Sequence, residues 1–497
     1  MKRDLENLFK KRYDLLVIGG GINGAGIANL AQANGFKAAL IEKGDFASGT
    51  SSKSTKLIHG GIRYLENLDF GLVRESLVER SIQLKAAPHI VKRLSFIIPV
   101  YKGDMRPLWM MKLGVLFYDF LAGKYSIGEH RRLSRENILE LVPGIKRDGL
   151  LGGILYYDAQ MDDARLCLEN ILSAKAGGAD VANYAQAISF IKESEKVVGV
   201  RVRDVLGDSV FDIRADKVVL AVGPWTNRML RKDDREARKR VRTTKGVHIL
   251  YEGKFSDHAL LLPSGRDGRI FFAIPWEDRT LIGTTDTRFI MDPDSVSVSD
   301  KDIEYLVENT KRVFPGLNFS RDKIITSFAG LRPLVRRRGS PSKVTRTHSI
   351  VKTRSGLTIV IGGKYTTYRK IAQDTLWKTF KRKSCGRFGV YGGGRIDGDA
   401  TDIANKYNIE TDTIIYLMDK YGARYTDILK IVEKDSSLAE KLCDCSPAIM
   451  AQLNYSAQNE MAVTADDIIT RRLSLQFIPC NANRCRHAIF KFFQSRT

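Results

Sequence analysis

The chain has 497 residues, of which 43% are hydrophobic and 28% charged. That composition excludes a disordered or fibrous chain, and a chain this long builds a core without disulfide staples. With 80 Lys and Arg against 57 Asp and Glu, the formal net charge is +23, which predicts attraction to a nucleic acid, an anionic membrane surface or a phosphorylated substrate.

Met1–Arg12 is charged, and the apolar run behind it is a strand rather than a signal core, so no targeting segment is expected. Tyr13–Gly19 reads as a buried parallel strand, Ile22–Gln32 as a helix stopped near Asn34-Gly35, and Lys37–Glu42 as a second strand. Gly44–Gly61 is loop-like, and Glu66–Lys92 reads as helix. The most apolar stretch, Pro107–Gly123, carries Lys112 and Asp119 and is shorter than a membrane-spanning helix. It is expected to be a buried helix. The alternative is a segment near a membrane surface, since Trp109, Met110, Met111, Phe117 and Phe120 are bulky.

Further on, Val197–Val202 and Asp216–Gly223 are strand patterns, and Lys245–Thr285 is strand-rich. Lys301–Val313 is a predicted helix, Thr358–Gly363 a strand and Tyr365–Lys381 a helix. Gly386–Gly398 looks like a linker, and beyond it the pattern is helical, with Thr464-x-x-Asp467 resembling a capping box.

Cys167, Cys385, Cys443, Cys445, Cys480 and Cys485 are few for this length, which fits free thiols in a reducing compartment. Cys443-x-Cys445 and Cys480-x4-Cys485 lack a standard zinc spacing, His487 is the only imidazole near them, and no metal is expected.

Gly19-x-Gly21-x-x-Gly24 follows the first strand and opens the first helix. The first glycine allows the tight turn, the second lets a pyrophosphate approach the backbone, and the third packs the helix on the strand. Glu42, ending the second strand, is placed to accept the ribose hydroxyls. Together these make a dinucleotide site. Further glycine-ended strands at Gly223 and Gly362-Gly363 suit FAD held in an extended pose, and the loop carrying Thr50, Ser51 and Ser52 offers further contacts.

The segments IGGGINGAGIA, SGTSSKSTKLIHGGIRYLE, AVGPWTN, KGVHI, IGTTD, GLRPL and GGKYTTYRKIA occur in that order. Together they resemble the FAD-dependent, quinone-linked sn-glycerol-3-phosphate dehydrogenases of the aerobic bacterial type, over nearly the whole chain. Asn29 and Asn34 depart from that pattern, where an Asp and an Arg are usual. The resemblance implies an α/β fold of the glutathione-reductase and D-amino-acid-oxidase type: a Rossmann-like FAD-binding domain, a mixed-sheet substrate domain and an all-α C-terminal domain. The FAD-binding segments are expected at about 1–95, 150–245 and 325–385, the substrate segments at about 96–149 and 246–324, and the helical domain at 386–497.

The resemblance further implies oxidation of sn-glycerol 3-phosphate to dihydroxyacetone phosphate, non-covalent FAD and a membrane quinone as acceptor. Arg63, Arg332 and Lys364 are expected to line the substrate pocket beside the flavin ring, with Arg332 and Lys364 counted alongside His248 as catalytic. His248 is expected as base or substrate ligand, and Tyr64 and Thr285 as hydrogen-bonding partners of substrate oxygens. His59, Trp225, Gly223, Gly363, Lys364 and Thr366 are expected on the flavin side. Arg336-Arg337-Arg338 and Arg231–Arg242 suggest docking on anionic lipid, and hence a peripheral place on the inner face of the cytoplasmic membrane. A homodimer stays open. The alternatives are a flavin-dependent amine or amino-acid oxidase of the same fold, or a basic nucleic-acid-binding flavoprotein. No nucleic acid is expected, for there is no aromatic-interleaved basic stripe.

Overall fold

Strand Arg12–Ile18 is apolar on both faces because it lies in the middle of a layered sheet. It pairs in parallel with Val210–Leu220 on one side and Ala38–Ile41 on the other. The sheet runs His348–Lys352, Thr358–Gly362, Val210–Leu220, Arg12–Ile18, Ala38–Ile41, Asp180–Ala182, with the hairpin Ala185–Glu193/Lys196–Asp204 attached to Val210–Leu220. This arrangement belongs to a computed structural model that describes residues 3–494, except 266–267, 337–346 and 383–387. Helices Ile22–Ala33, Asp163–Ala176 and Tyr368–Phe380 pack together over one face, where Leu15, Val17, Ile27, Leu30, Ile171 and Ile371 form the core.

A second, ten-stranded sheet stands beside the first. Its longest pairings are antiparallel, Val91–Tyr101 with Leu150–Met161 and Val241–Glu252 with Ile324–Val335. Here the segment boundaries drawn from sequence need correction. Leu150–Met161 and Ile324–Val335 were assigned to the FAD-binding segments, but both belong to the second sheet. An alternating apolar pattern shows that a strand is half buried and says nothing of its partner.

Other elements shift locally. The helix expected over Glu66–Lys92 is a 3₁₀ turn, Ile62–Asn67, then a helix, Phe70–Ala86, broken by Leu68 in the left-handed region at φ 57°. Val91 already begins a strand. The capping box is present: Thr464 and Asp467 exchange side-chain and backbone bonds. The C-terminal domain also contains a short hairpin, Lys441–Cys443/Ser446–Ile449. The glycine-rich stretch does not behave as a loose linker where it is described. The Gly392 N–H donates to Glu169 at 3.2 Å, and its carbonyl accepts the Ala423 N–H at 3.0 Å. Gly386, Arg337 and Arg338 lie outside the described residues.

Two further expectations are overturned. Cys443 and Cys485 are disulfide-bonded, while Cys167, Cys445 and Cys480 are free thiols; Cys385 lies outside the described residues. Helix Leu108–Ala122 is not buried. Only Val115, Tyr118 and Ala122 face the protein, whereas Trp109 is 63% and Phe120 75% exposed. A helix that is apolar all round gives no periodic signal of which side is covered. No helix among the described residues is long and apolar enough to cross a membrane.

The C-terminal domain is tied to the first sheet by buried charge. Arg472 grips both oxygens of Asp45 at 2.7 and 2.8 Å, and Arg471 adds a bond at 2.6 Å. Burial pushes the Asp45 carboxyl upward, but the two arginines overcome it and hold it at about 2. Its stabilising effect is therefore present above the ordinary aspartate range and fades as pH falls toward about 2. Asp45→Asn strips the buried Arg472 of its close carboxylate partner, while Arg471 keeps Asp466 and Asp467, and is expected to cost about 3–5 kcal/mol. Thermal unfolding of the flavin-loaded protein at neutral pH should show a clearly lower midpoint, with the gap to wild type narrowing only in acid. Equal midpoints at neutral pH would mean that the network carries no stability.

Candidate active site

The turn after the first strand sets the site. Gly19 has φ 110°, and a Cβ on Gly24 would lie 1.9 Å from the Gly19 carbonyl oxygen, so the helix sits on the strand only because Gly24 has no side chain. Glu42 accepts the Gly20 N–H at 2.7 Å and the Gly44 N–H at 3.0 Å. Burial raises its carboxyl above the usual range, and these two donors pull it back. Ser51 Oγ accepts the Ile22 N–H at 2.9 Å, and a Cβ on Gly21 would reach that same hydroxyl at 3.0 Å.

This cradle opens into a cavity of about 560 Å³ that runs between the two sheets. Gly19, Gly21, Glu42, Thr50, Ser51, His59, Arg63, Tyr64, Gly223, Trp225, His248, Arg332, Gly363, Lys364 and Thr366 all line it. Among the sequence-derived candidates, Gly24, Ser52 and Thr285 do not. Gly24 is covered by its own turn, and Ser52 is buried. Thr285 needs correction as a substrate contact: its hydroxyl accepts the Val247 N–H at 3.0 Å, so it faces the sheet. Its neighbours Thr284 and Asp286 line the cavity instead, in the short connection between strands Arg279–Gly283 and Thr287–Phe289.

The far wall is built on the second sheet. Arg332 donates to Thr284 Oγ1 at 2.6 Å and to the Thr285 carbonyl at 3.1 Å. Its guanidinium lies across Gly246, where a Cβ would be 2.2 Å from Nη2. His248 stacks on Phe328 with ring centroids 5.1 Å apart, and its Nε2 is 3.0 Å from Thr55 Oγ1. Burial drives its imidazole well below the usual histidine range, helped by the charges of Arg332 and Lys56, so the ring is neutral at physiological pH.

Lys364 bridges the two walls. Its Nζ donates to Ser76 Oγ at 2.8 Å and to the Gly60 and His59 carbonyls at 3.1 and 3.3 Å. Thr366 Oγ1 accepts the His59 N–H at 3.2 Å, which fixes the same loop. Arg63 lies over the Tyr64 ring at 5.1 Å. Trp225 donates to Asp294 at 2.8 Å under Lys43, whose Nζ is 4.2 Å from the ring centroid. Thr55, Lys53, Arg269 and Asp286 also line the cavity and were missed. Thr55 and Lys53 stand inside the SGTSSKST segment and Asp286 ends the IGTTD segment, so all three are legible there, whereas Arg269 has no local signal.

Residues 14–369 match the family described as FAD dependent oxidoreductase, and residues 387–496 match the C-terminal domain of alpha-glycerophosphate oxidase. The aerobic glycerol-3-phosphate dehydrogenase of Staphylococcus aureus is 36% identical over 94% of this chain and 87% of its own length. The chain belongs to the FAD-dependent glycerol-3-phosphate dehydrogenase family. The family member from Bacillus halodurans, solved in complex with FAD, superposes with a TM-score of 0.82 at 31% identity, covering 99% of this chain and 92% of that one. The L-alpha-glycerophosphate oxidase of Mycoplasma pneumoniae shares the fold, with a TM-score of 0.61 at 16% identity over 78% of this chain and 100% of that one.

FAD is the family's cofactor, and the residues present fit it. The glycine turn leaves space for a pyrophosphate against the backbone, the helix Ile22–Ala33 presents its N-terminus to that space, and Glu42 lines it. Gly24→Ala forces the turn open at a cost of about 1–3 kcal/mol, or roughly 5- to 150-fold in cofactor affinity. The ratio of visible flavin absorbance to protein absorbance after gel filtration should fall. Full flavin retention in the variant would show that the close packing is dispensable.

Proposed function

We propose that the chain oxidises sn-glycerol 3-phosphate at its C2 hydroxyl to give dihydroxyacetone phosphate, and that the electrons pass to a membrane quinone. The observation that carries this reading is the cationic wall facing the cradle: Arg332, Arg63, Arg269 and Lys53 around one cavity. An amine or amino-acid substrate brings one carboxylate and needs one such group. A phosphate dianion calls for several, among them a guanidinium fork.

Bound FAD supplies the two-electron oxidant for the alcohol carbon. The protein's part is to orient and to handle the proton. Arg332, held by Thr284 and by the Thr285 carbonyl, has a fixed direction for a substrate oxygen. His248 presents a neutral ring, so it accepts a hydrogen bond from the C2 hydroxyl and sets the direction in which the proton leaves. Lys364, tied to two carbonyls and a hydroxyl, keeps a positive charge fixed beside the cavity.

Anaerobic addition of sn-glycerol 3-phosphate to the flavin-loaded protein should bleach the visible flavin band, and a short-chain quinone should restore it. In Arg332→Ala, truncating one partner of a charged contact should cost about 2–5 kcal/mol in kcat/KM, most of it in KM. Bleaching by an amino acid and none by glycerol 3-phosphate would replace this reading with the amine-oxidase one.

The exposed helix Leu108–Ala122 supports a peripheral place on the cytoplasmic membrane face. Trp109, Leu113, Leu116 and Phe120 are half or more exposed, and Phe70 adds an edge contact to Phe117 at 5.1 Å. Arg74 and Lys124 flank Phe120, where they would meet anionic headgroups. Phe120→Asp should reduce sedimentation with anionic vesicles several-fold while leaving flavin bleaching by substrate unchanged. Equal sedimentation of variant and wild type would remove this helix as the docking face.

A further inference from the structure

The four C-terminal cysteines are used neither by the cofactor site nor by the substrate wall. They come in two pairs far apart in sequence, Cys443/Cys445 and Cys480/Cys485, and the fold brings them to one point. Cys443 ends the first strand of the short hairpin, and Cys445 lies in its turn. Cys480 lies in the turn before the last helix, Asn483–Gln494, and Cys485 is buried inside that helix. The sulfurs of Cys443, Cys445 and Cys480 all lie within 4.8 Å of one another. The fourth, Cys485, is bonded to Cys443 with the Cα atoms 5.2 Å apart.

Four sulfurs gathered at this scale are close to what one tetrahedral ion requires. A metal–sulfur distance of about 2.3 Å puts the sulfurs of a tetrahedron about 3.8 Å apart. Disulfide pairing alone asks only that the sulfurs meet two by two. On one side the cysteines pack against an apolar cluster that includes Ala448, Ile478, Ala482 and Ile489; Cys485 is buried in it, while Cys443, Cys445 and Cys480 are half-buried.

We propose that Cys443, Cys445, Cys480 and Cys485 form a four-thiolate site for a thiophilic tetrahedral metal, zinc(II) or the iron of an iron–sulfur centre. The Cys443–Cys485 disulfide is the metal-free, oxidised form of the same four sulfurs. A dithiol reductant converts one form to the other. It gives two electrons and two protons, the S–S bond breaks, two thiols form, and the reductant leaves as its own disulfide. The four thiols then release four protons as four metal–sulfur bonds form, and the metal keeps its oxidation state. An iron–sulfur centre takes two iron(III) ions and two inorganic sulfides, again with no change of oxidation state, and each iron binds two of the thiolates.

The site has a structural consequence. It pins the hairpin to the last helix, and Cys480 follows closely on Phe477. The Phe477 ring packs edge-on against Trp276 and Phe328 at 5.7 and 5.9 Å, and Phe328 is the ring on which His248 stacks. Metal binding at the cysteines thus steadies the segment that backs the His248 wall. This inference concerns the C-terminal domain and stands whichever substrate the cavity takes.

The full chain, purified with a dithiol and without chelator, should carry zinc, or iron with acid-labile sulfide, at about one centre per chain by elemental analysis. Cys445→Ser and Cys480→Ser should lose the metal while keeping their flavin. The wild-type protein serves as a second test that does not depend on how these variants fold. After dithiol reduction under argon, cobalt(II) should give the charge-transfer absorption of thiolate ligation and tetrahedral visible bands, displaced by zinc. A metal-free protein that stays metal-free with zinc, and with iron plus sulfide, would overturn the proposal. So would cobalt(II) that gives only the pale spectrum of the hydrated ion.

Discussion

The carboxylate of Asp45 is the point on which the molecule turns. It lies on the cofactor-cradle loop, three residues after Glu42, and it accepts bonds from Arg471, Arg472 and the Asn183 side chain. Arg472 also donates to the Glu460 carbonyl at 2.8 Å. Glu460 pairs with Arg165, Arg165 with Glu169, and Glu169 receives His89 and the Gly392 N–H. Any one of these charges would be costly to bury alone. Buried as a chain, each finds a partner, and the price of removing one is an orphaned opposite charge. The chain runs from the cradle loop, through helix Asp163–Ala176, to the C-terminal domain. The cradle is therefore held rigid from behind by residues hundreds of positions away in sequence.

With one wall fixed in this way, the other is shaped by glycines. Arg332 and His248 are large polar side chains lying flat on a sheet. Each does so over a glycine, Gly246 and Gly283, where a Cβ would come within 2.2 Å of the side chain. Both glycines belong to strands that pair through His248: Gly283 is its register partner on one side, and Gly246 precedes it by two positions on the same strand. The sheet thus supplies flat floors at the two places where the site needs reach. Thr284 and Thr285, in the connection after Gly283, divide the remaining work, one hydroxyl to Arg332 and the other to the Val247 N–H.

The legible part of this design was local. Strand Arg12–Ile18, its glycine turn and helix Ile22–Ala33 follow from an apolar run, three spaced glycines and a stop at Asn34-Gly35. The Thr464–Asp467 capping box followed from two residues. What failed was whatever depends on a distant partner. Leu150–Met161 reads as a strand but not as a neighbour of Val91–Tyr101. Thr285 sits in the right segment, but its hydroxyl is taken up by the Val247 N–H of a strand distant in sequence. Leu108–Ala122 is apolar enough for a core, yet the fold leaves much of it outside. Cys443 and Cys485 are separated by 42 residues, and their pairing is set by how the hairpin meets the last helix.

The excess positive charge, the first feature visible in the sequence, is put to different uses in different places. Much of the surface charge is already paired: Arg201 with Asp212, Arg228 with Asp292 and Asp294, Arg12 with Asp216. Such exposed pairs add little to stability and are screened by salt. The cations that line the cavity sit between two sheets, where water and counter-ions have less access and the same charge acts more strongly. On this lining the cations outnumber the carboxylates of Glu42, Glu66, Asp158 and Asp286, and an excess of one sign in a cleft draws an anion inward and raises its local concentration. Long-range attraction of that kind brings a phosphate to the cavity without orienting it. Orientation needs a group with a fixed direction, and Arg332 has one because Thr284 and the Thr285 carbonyl hold its fork in place. Capture and orientation are thus separable in this site: many cations share the first, and one anchored guanidinium supplies the second.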